Sequence, residues 1–264
     1  GRGQDGPLAQ SAGHDLTYAA VAGALAHIGR AGALPTPPLN LVADFGGGGM
    51  LLALGMVAGM LHAQRTGEGQ VVDAAMVDGT ALLMAPFYGA SAMGYWSDER
   101  GTNLLDSGAP FYDVYRCADG AELAVAALEA PFFATLLDVL GLDPGDVPGQ
   151  DEVDRWPELR DVLATTLAGR PREYWIERAD GRDACIAPVL TMREAADHPQ
   201  ITARGTVLDV DGVPQPAPAP RFSVTPAALN RPPATAGEHT EAVLSDCGFA
   251  PGEIAELVGG GVVA

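Results

Sequence analysis

The chain contains no lysine: all 15 basic residues among its 264 are arginine, set against 34 acidic ones for a net charge of −19. Schiff-base catalysis and a phosphate-loop lysine are therefore excluded within these residues. The acidity argues against nucleic acid as a partner, because neutralising phosphates needs basic surface. Cysteine is scarce as well. Cys117, Cys185 and Cys247 stand far apart with no CxxC spacing, so neither a metal site nor a disulfide framework is expected, and a reducing, cytoplasmic setting fits. His27, His62, His198 and His239 have no partner at metal-ligand spacing and read as structural or surface residues. There is no long apolar run. The strongest, Met50 to Leu61, is 12 residues broken by Gly55 and Gly59, short of the about 20 that a bilayer span needs, and it is expected to be a buried helix rather than a membrane span. The opening Gly1-Arg2-Gly3-Gln4-Asp5-Gly6-Pro7 shows no signal-peptide pattern.

What is present is a chain with 47% hydrophobic residues and a mixed α/β texture, enough for a substantial core. Composition predicts helices over Asp15–Ile28, Met50–Arg65 and Met76–Trp96, with a short strand at Gln70–Asp73, and residues 1–96 form one α/β part. Residues 97–110 read as a linker. Two strands, Tyr112–Arg116 and Glu122–Leu128, joined at Asp119-Gly120, open a smaller α+β domain over 111–197, with helices at Pro131–Leu140, Pro157–Leu167 and Arg172–Ala179 and a strand at Cys185–Leu190. A proline-rich connector is expected over 198–236 and a helical return over 237–264.

Two sites in the first part carry chemistry. His14-Asp15 stands at a helix entry, where free backbone amides carry partial positive charge and an imidazole can take up or give a proton. Such a pair suits removal of a proton beside a carbonyl, although Asp15 as a plain N-cap explains the same residues. Asp44, a helix and a loop further on, precedes the run Gly46 to Gly49. The run has no GxGxxG order, so close packing of backbones outranks phosphate binding. Glu129, at the end of a strand and the start of a helix, is either a solvated carboxylate or one that orients a histidine. Tyr112, Tyr115, Phe132 and Phe133 read as core.

Taken jointly, several strings resemble the α-methylacyl-CoA racemases of the family III CoA-transferase (CaiB/BaiF-like) superfamily. They are the opening Gly1–Pro7 string, Ala12-Gly13-His14-Asp15, Asp44-Phe45-Gly46-Gly47-Gly48, Gly69 to Gly79, Gly108-Ala109-Pro110-Phe111-Tyr112 and Pro218 to Ser223. The similarity covers nearly the whole chain. It begins inside the family's large domain, so the early strands of that domain and the arginines that hold CoA phosphates are expected outside these residues.

The resemblance implies an α/β fold with a Rossmann-like large domain, incomplete here, and a smaller α+β domain, in homodimers whose chains interlock as rings and share active sites. It implies that His14 and Asp44 are the acid/base pair, that Glu129 hydrogen-bonds the histidine in its own chain or a partner's, and that Gly13, Asp15, Leu16, Thr17, Tyr18 and Asn40 contact the acyl-CoA thioester. The activity implied is racemisation of (2R)- and (2S)-2-methylacyl-CoA in lipid metabolism, by proton transfer through an enolate with no cofactor besides the acyl-CoA substrate. Two rivals stand beside it: CoA transfer with Asp15 as nucleophile, and a non-catalytic binding piece that needs a separate N-terminal half.

Overall fold

The structure, a computed structural model, describes residues 1–229 and 232–263. Helix α1 covers Asp15–Val21, and Gly23, at φ +86°, ends it well before Ile28; a single 3₁₀ turn, Leu25–His27, follows. The expected 14-residue span is thus cut short, because a glycine in the left-handed region terminates a helix wherever it falls.

The glycine run is helical. Leu41–Met50 forms a π-helix that passes directly into α2, Leu51–Thr66, which Gly67 closes at φ +79°. Helix α3, Met76–Leu83, lies across the π-helix. The crossing is so tight that a Cβ on Gly79 would lie 1.8 Å from the Gly47 carbonyl oxygen, and one on Gly47 would lie 2.6 Å from the Thr80 amide. Each glycine costs about 1 kcal/mol of helix propensity, and the backbone-to-backbone packing outweighs it.

The two helical stretches together make one continuous helix, Leu41–Thr66, of 26 residues, with 17% of its most apolar window buried. By length and composition alone it could cross a membrane, which corrects the expectation of a short segment. It also corrects the expectation of burial: α2 has no buried residue, and Leu54, Val57 and Met60 are all more than half exposed. The apolar helix pattern was legible, but no layer that covers it lies among the described residues.

No strand forms at Gln70–Asp73, since no strand among the described residues pairs with it; instead the Asp73 carboxylate accepts the Gln4 amide at 3.2 Å. The helix expected from Met76 to Trp96 breaks at Met84, and α4, Ala85–Ala92, starts afresh with Pro86, whose missing N–H cannot continue the ladder.

Within residues 97–110, Asp106 is buried and accepts the amides of Gly101 and Asn103, each at 2.8 Å, which folds this stretch on itself. An antiparallel sheet follows, in the order β1 (Tyr112–Arg116), β2 (Glu122–Ala126), β3 (Ile186–Pro188), with Val114 opposite Ala124. Its inner face carries Tyr115, Leu123 and Val125. These pack on α5 (Ala130–Leu140), α6 (Trp156–Leu167) and α7 (Arg172–Ala179). Helix α6 buries Leu159, Leu163 and Leu167 at i, i+4 spacing, one apolar stripe toward the sheet.

Asp113 on β1 is clamped by two arginines. Its side chain is 1% exposed; Arg30 donates to Oδ1 at 2.8 Å and to Oδ2 at 3.0 Å, and Arg160 of α6 also pairs with Oδ2 while donating to the Ser107 carbonyl. Burial pushes the Asp113 carboxyl up, but the hydrogen bond from Arg30, the Val114 amide and the charges of both arginines outweigh burial and hold it below the ordinary aspartate value.

Residues Gly1–Val189 form one compact unit and Leu190–Ala264 a second. The second contains α8 (Met192–Asp197), capped by Thr191, then α9 (Pro199–Arg204) and a hairpin of β4 (Val207–Val210) and β5 (Val213–Pro216). Asp211 and Gly212, at φ +54° and +82°, make its two-residue turn. Part of the stretch expected as a connector is therefore paired strand, and residues 230–231 of it lie outside the described residues. Helices α10 (Thr240–Asp246) and α11 (Pro251–Gly259) flank Gly248, as the sequence predicts. The fold is mixed α/β, and every sheet pairing among the described residues is antiparallel.

Gly79→Ala should destabilise the protein by about 3 kcal/mol in chemical denaturation, the overpacking cost exceeding the helix gain. Gly89→Ala, on exposed α4 with nothing within 4 Å, should stabilise it by about 0.5–1 kcal/mol. Because the folded Asp113 carboxyl titrates below its unfolded value of about 3.9, its contribution is complete above that pH and fades as pH falls through the folded value. The denaturation midpoint should fall below about pH 4, and Asp113→Asn should flatten that fall while costing about 3 kcal/mol at pH 7.

Candidate active site

Asp15 is the first residue of α1 and is 3% exposed. It does not cap its own helix; His14 holds the N-cap position, with extended backbone at φ −137° and ψ 173°. The Asp15 carboxylate reaches the π-helix instead, where its Oδ2 accepts the amides of Ala43 at 2.6 Å and Asp44 at 2.8 Å. These amides belong to the first turn of Leu41–Met50, where backbone donors have no partner within the helix. Asn40 occupies that helix's N-cap position without a side-chain cap bond. Through Asp15, the two segments bearing His14 and Asp44 are joined by charge-assisted hydrogen bonds.

His14 is exposed and Asp44 half-buried. The His14 main chain is locked locally: its amide donates to Thr17 Oγ1 at 3.1 Å, and that hydroxyl donates back to the His14 carbonyl at 2.9 Å. Gly13 permits this, since a Cβ there would lie 2.7 Å from Thr17 Oγ1 and 2.8 Å from the Tyr18 ring. The amides of Thr17 and Tyr18 are taken by the His14 carbonyl, whereas those of Asp15 and Leu16 make no hydrogen bond among the described residues. Two free donors thus stand directly beside the imidazole-bearing residue.

Tyr18 is buried with Ala19 and Ala43 between α1 and the π-helix, and Arg2 lies over its ring at 5.3 Å from the centroid. The Arg2 guanidinium also donates to the carbonyls of Ser11 and Ala12, each at 2.8 Å. Arg2 thus ties the opening segment to the stretch just before His14, a role its place in that opening did not signal. Leu16 and Thr17 are exposed.

Glu129 is at the N-cap position of α5, directly after β2, and is exposed. Among the described residues it makes no hydrogen bond to His14. Its charge, after burial, helps to push the Cys185 thiol up. A cavity of about 580 Å³ lies against the outer sheet face, lined by Ile28, Arg30, Leu105, Tyr112, Val114 and Ala124. His14, Asp44 and Glu129 are not on its wall.

The model of CoA-transferase family III matches residues 1–240. The chain is 45% identical to the α-methylacyl-CoA racemase of Mus musculus and 43% identical to that of Homo sapiens, in each case over 97% of this chain and 68% of the relative. It is 26% identical to the succinyl-CoA:glutarate CoA-transferase of Homo sapiens, over all of this chain and 62% of that protein. In fold it matches the crystal structure of a CAIB/BAIF family protein from Brucella suis with a TM-score of 0.76 at 23% identity, covering 93% of this chain and 66% of that one. The chain spans about two thirds of the length of these relatives. A model match over most of its residues and two relatives above 40% identity place the chain in CoA-transferase family III.

Proposed function

We propose that this chain supplies the acid/base residues of an isomerase that interconverts the two C2 epimers of 2-methylacyl-CoA thioesters. The observation that carries the proposal is the pair of unbonded amides, Asp15 and Leu16, beside His14, with the Asp44 segment tied to the same helix start by the Asp15 carboxylate. A thioester carbonyl oxygen seated on those amides gains hydrogen bonds that strengthen as negative charge develops on it. That lowers the cost of removing the C2 proton. One of His14 and Asp44 takes the proton and the other returns one to the opposite face; the roles exchange with the starting epimer. The balance is one C–H bond broken and one formed, with no electron transfer, so the step as written needs no redox or metal cofactor.

The racemase relatives at 45% and 43% identity support this reading over CoA transfer. Glu129 makes no bond to His14 within this chain, and we assign it to orienting the histidine of a second copy in a homodimer. The three unpaired cysteines support a reducing, cytoplasmic setting.

Incubation in D₂O should place deuterium at C2 of a 2-methylacyl-CoA, read by mass spectrometry. His14→Ala and Asp44→Asn should each slow that exchange by about 10²–10⁴-fold. Full exchange in either variant, or CoA transfer to a free carboxylic acid in place of exchange, overturns the proposal.

A further inference from the structure

We infer that Asp15 is a positioning residue: its buried carboxylate holds the Asp44 main chain against the His14 segment and does not attack the thioester. The inference deepens the racemase reading and depends on it for the catalytic half of its test.

A carboxylate nucleophile must bring one oxygen within about 3–3.5 Å of the acyl carbon along an open line, form a C–O bond there and release the CoA thiolate. Asp15 is 3% exposed, and its Oδ2 already accepts two amides, at 2.6 Å and 2.8 Å, from the same turn of a neighbouring helix. Acylating Oδ2 would place a branched acyl group where those two amides converge and would break both bonds. The other oxygen, Oδ1, is also buried and has no hydrogen-bond partner among the described residues.

The two bonds also fall where they are needed. The first turn of the π-helix lacks intrahelical acceptors for its amides, and Asn40 at its head contributes no side-chain cap. Asp15 therefore performs from another helix the service an N-cap residue ordinarily performs from within, and a negative charge is favoured at that end of a helix. Because one of the two amides is that of Asp44 itself, the proposed acid/base carboxylate is fixed at its own main chain.

The geometry separates asparagine from alanine at this position. Asn keeps a carbonyl oxygen able to accept both amides and places an NH₂ group where Oδ1 is unbonded; Ala removes the acceptor. Amide hydrogen exchange at Ala43 and Asp44 and deuterium uptake at C2 of a 2-methylacyl-CoA should be measured in the parent, Asp15→Asn and Asp15→Ala. In Asp15→Asn both amides should stay protected, and turnover should remain within about tenfold of the parent, since the fold-change of a modest hydrogen-bond adjustment is near 1.4 kcal/mol or less. In Asp15→Ala the two amides should lose at least about tenfold protection, and kcat should fall about 10²-fold with KM nearly unchanged, the signature of a displaced catalytic group.

Loss of turnover in Asp15→Asn as complete as in His14→Ala, or trapping of Asp15 by hydroxylamine after exposure to acyl-CoA, overturns the inference. So do unchanged amides in Asp15→Ala. Should Asp15→Ala not fold, the Asp15→Asn turnover and the trapping experiment still decide. A parent that exchanges no C2 proton sinks the racemase reading instead, and the amide measurements then judge the structural task of Asp15 alone.

Discussion

One carboxylate organises the first part of this protein. Asp15, nearly without solvent contact, bridges α1 to the π-helix through two main-chain amides, and everything proposed about the site follows from that join. It brings His14 and Asp44, far apart in sequence, onto adjoining segments, and leaves the Asp15 and Leu16 amides open beside them. Buried charge of this kind is tolerated only when hydrogen-bonded, so the bridge is as much a demand of the carboxylate as a service to the helix.

The bridge works because the surrounding helices approach closely. Gly47 and Gly79 let two backbones cross with no side chain between them, and Gly13 lets the His14 turn close on Thr17 and Tyr18. Wide π-turns at Leu41–Met50, a rare geometry found often at functional sites, set the Asp44 main chain at the crossing. In the same unit, Asp113 gathers Arg30 and Arg160, joining the segment after α1 to β1 and α6.

Much of this was legible in the residues, and the parts that were not share a cause. Local signals held: Asp119-Gly120 marked the β1–β2 turn, and Gly248 separated the last two helices. The glycine run correctly suggested close backbone packing but hid its helical state, because propensity disfavours glycine there and only the tertiary contact with Gly79 reverses the balance. A strand at Gln70–Asp73 required a pairing partner that composition could not supply. Asp15 read as the cap of its own helix because capping is recognised from neighbours in sequence, whereas its acceptors' partners lie in another helix. His14, Asp44 and Asn40 stood out by motif; Arg2, Arg30 and Arg160 did not, since a lone arginine gives no hint of which carbonyl or carboxylate it will meet.

The long helix from Leu41 to Thr66 has a consequence of another kind. The molecule carries a net charge of −19, yet between Phe45 and Thr66 this rod presents no acidic side chain and only one arginine, so it is a greasy, almost uncharged spine on a strongly negative body. A second copy of this chain settling on it would bring two negative bodies together, so the ionic strength of the medium would set how readily like molecules cover that spine.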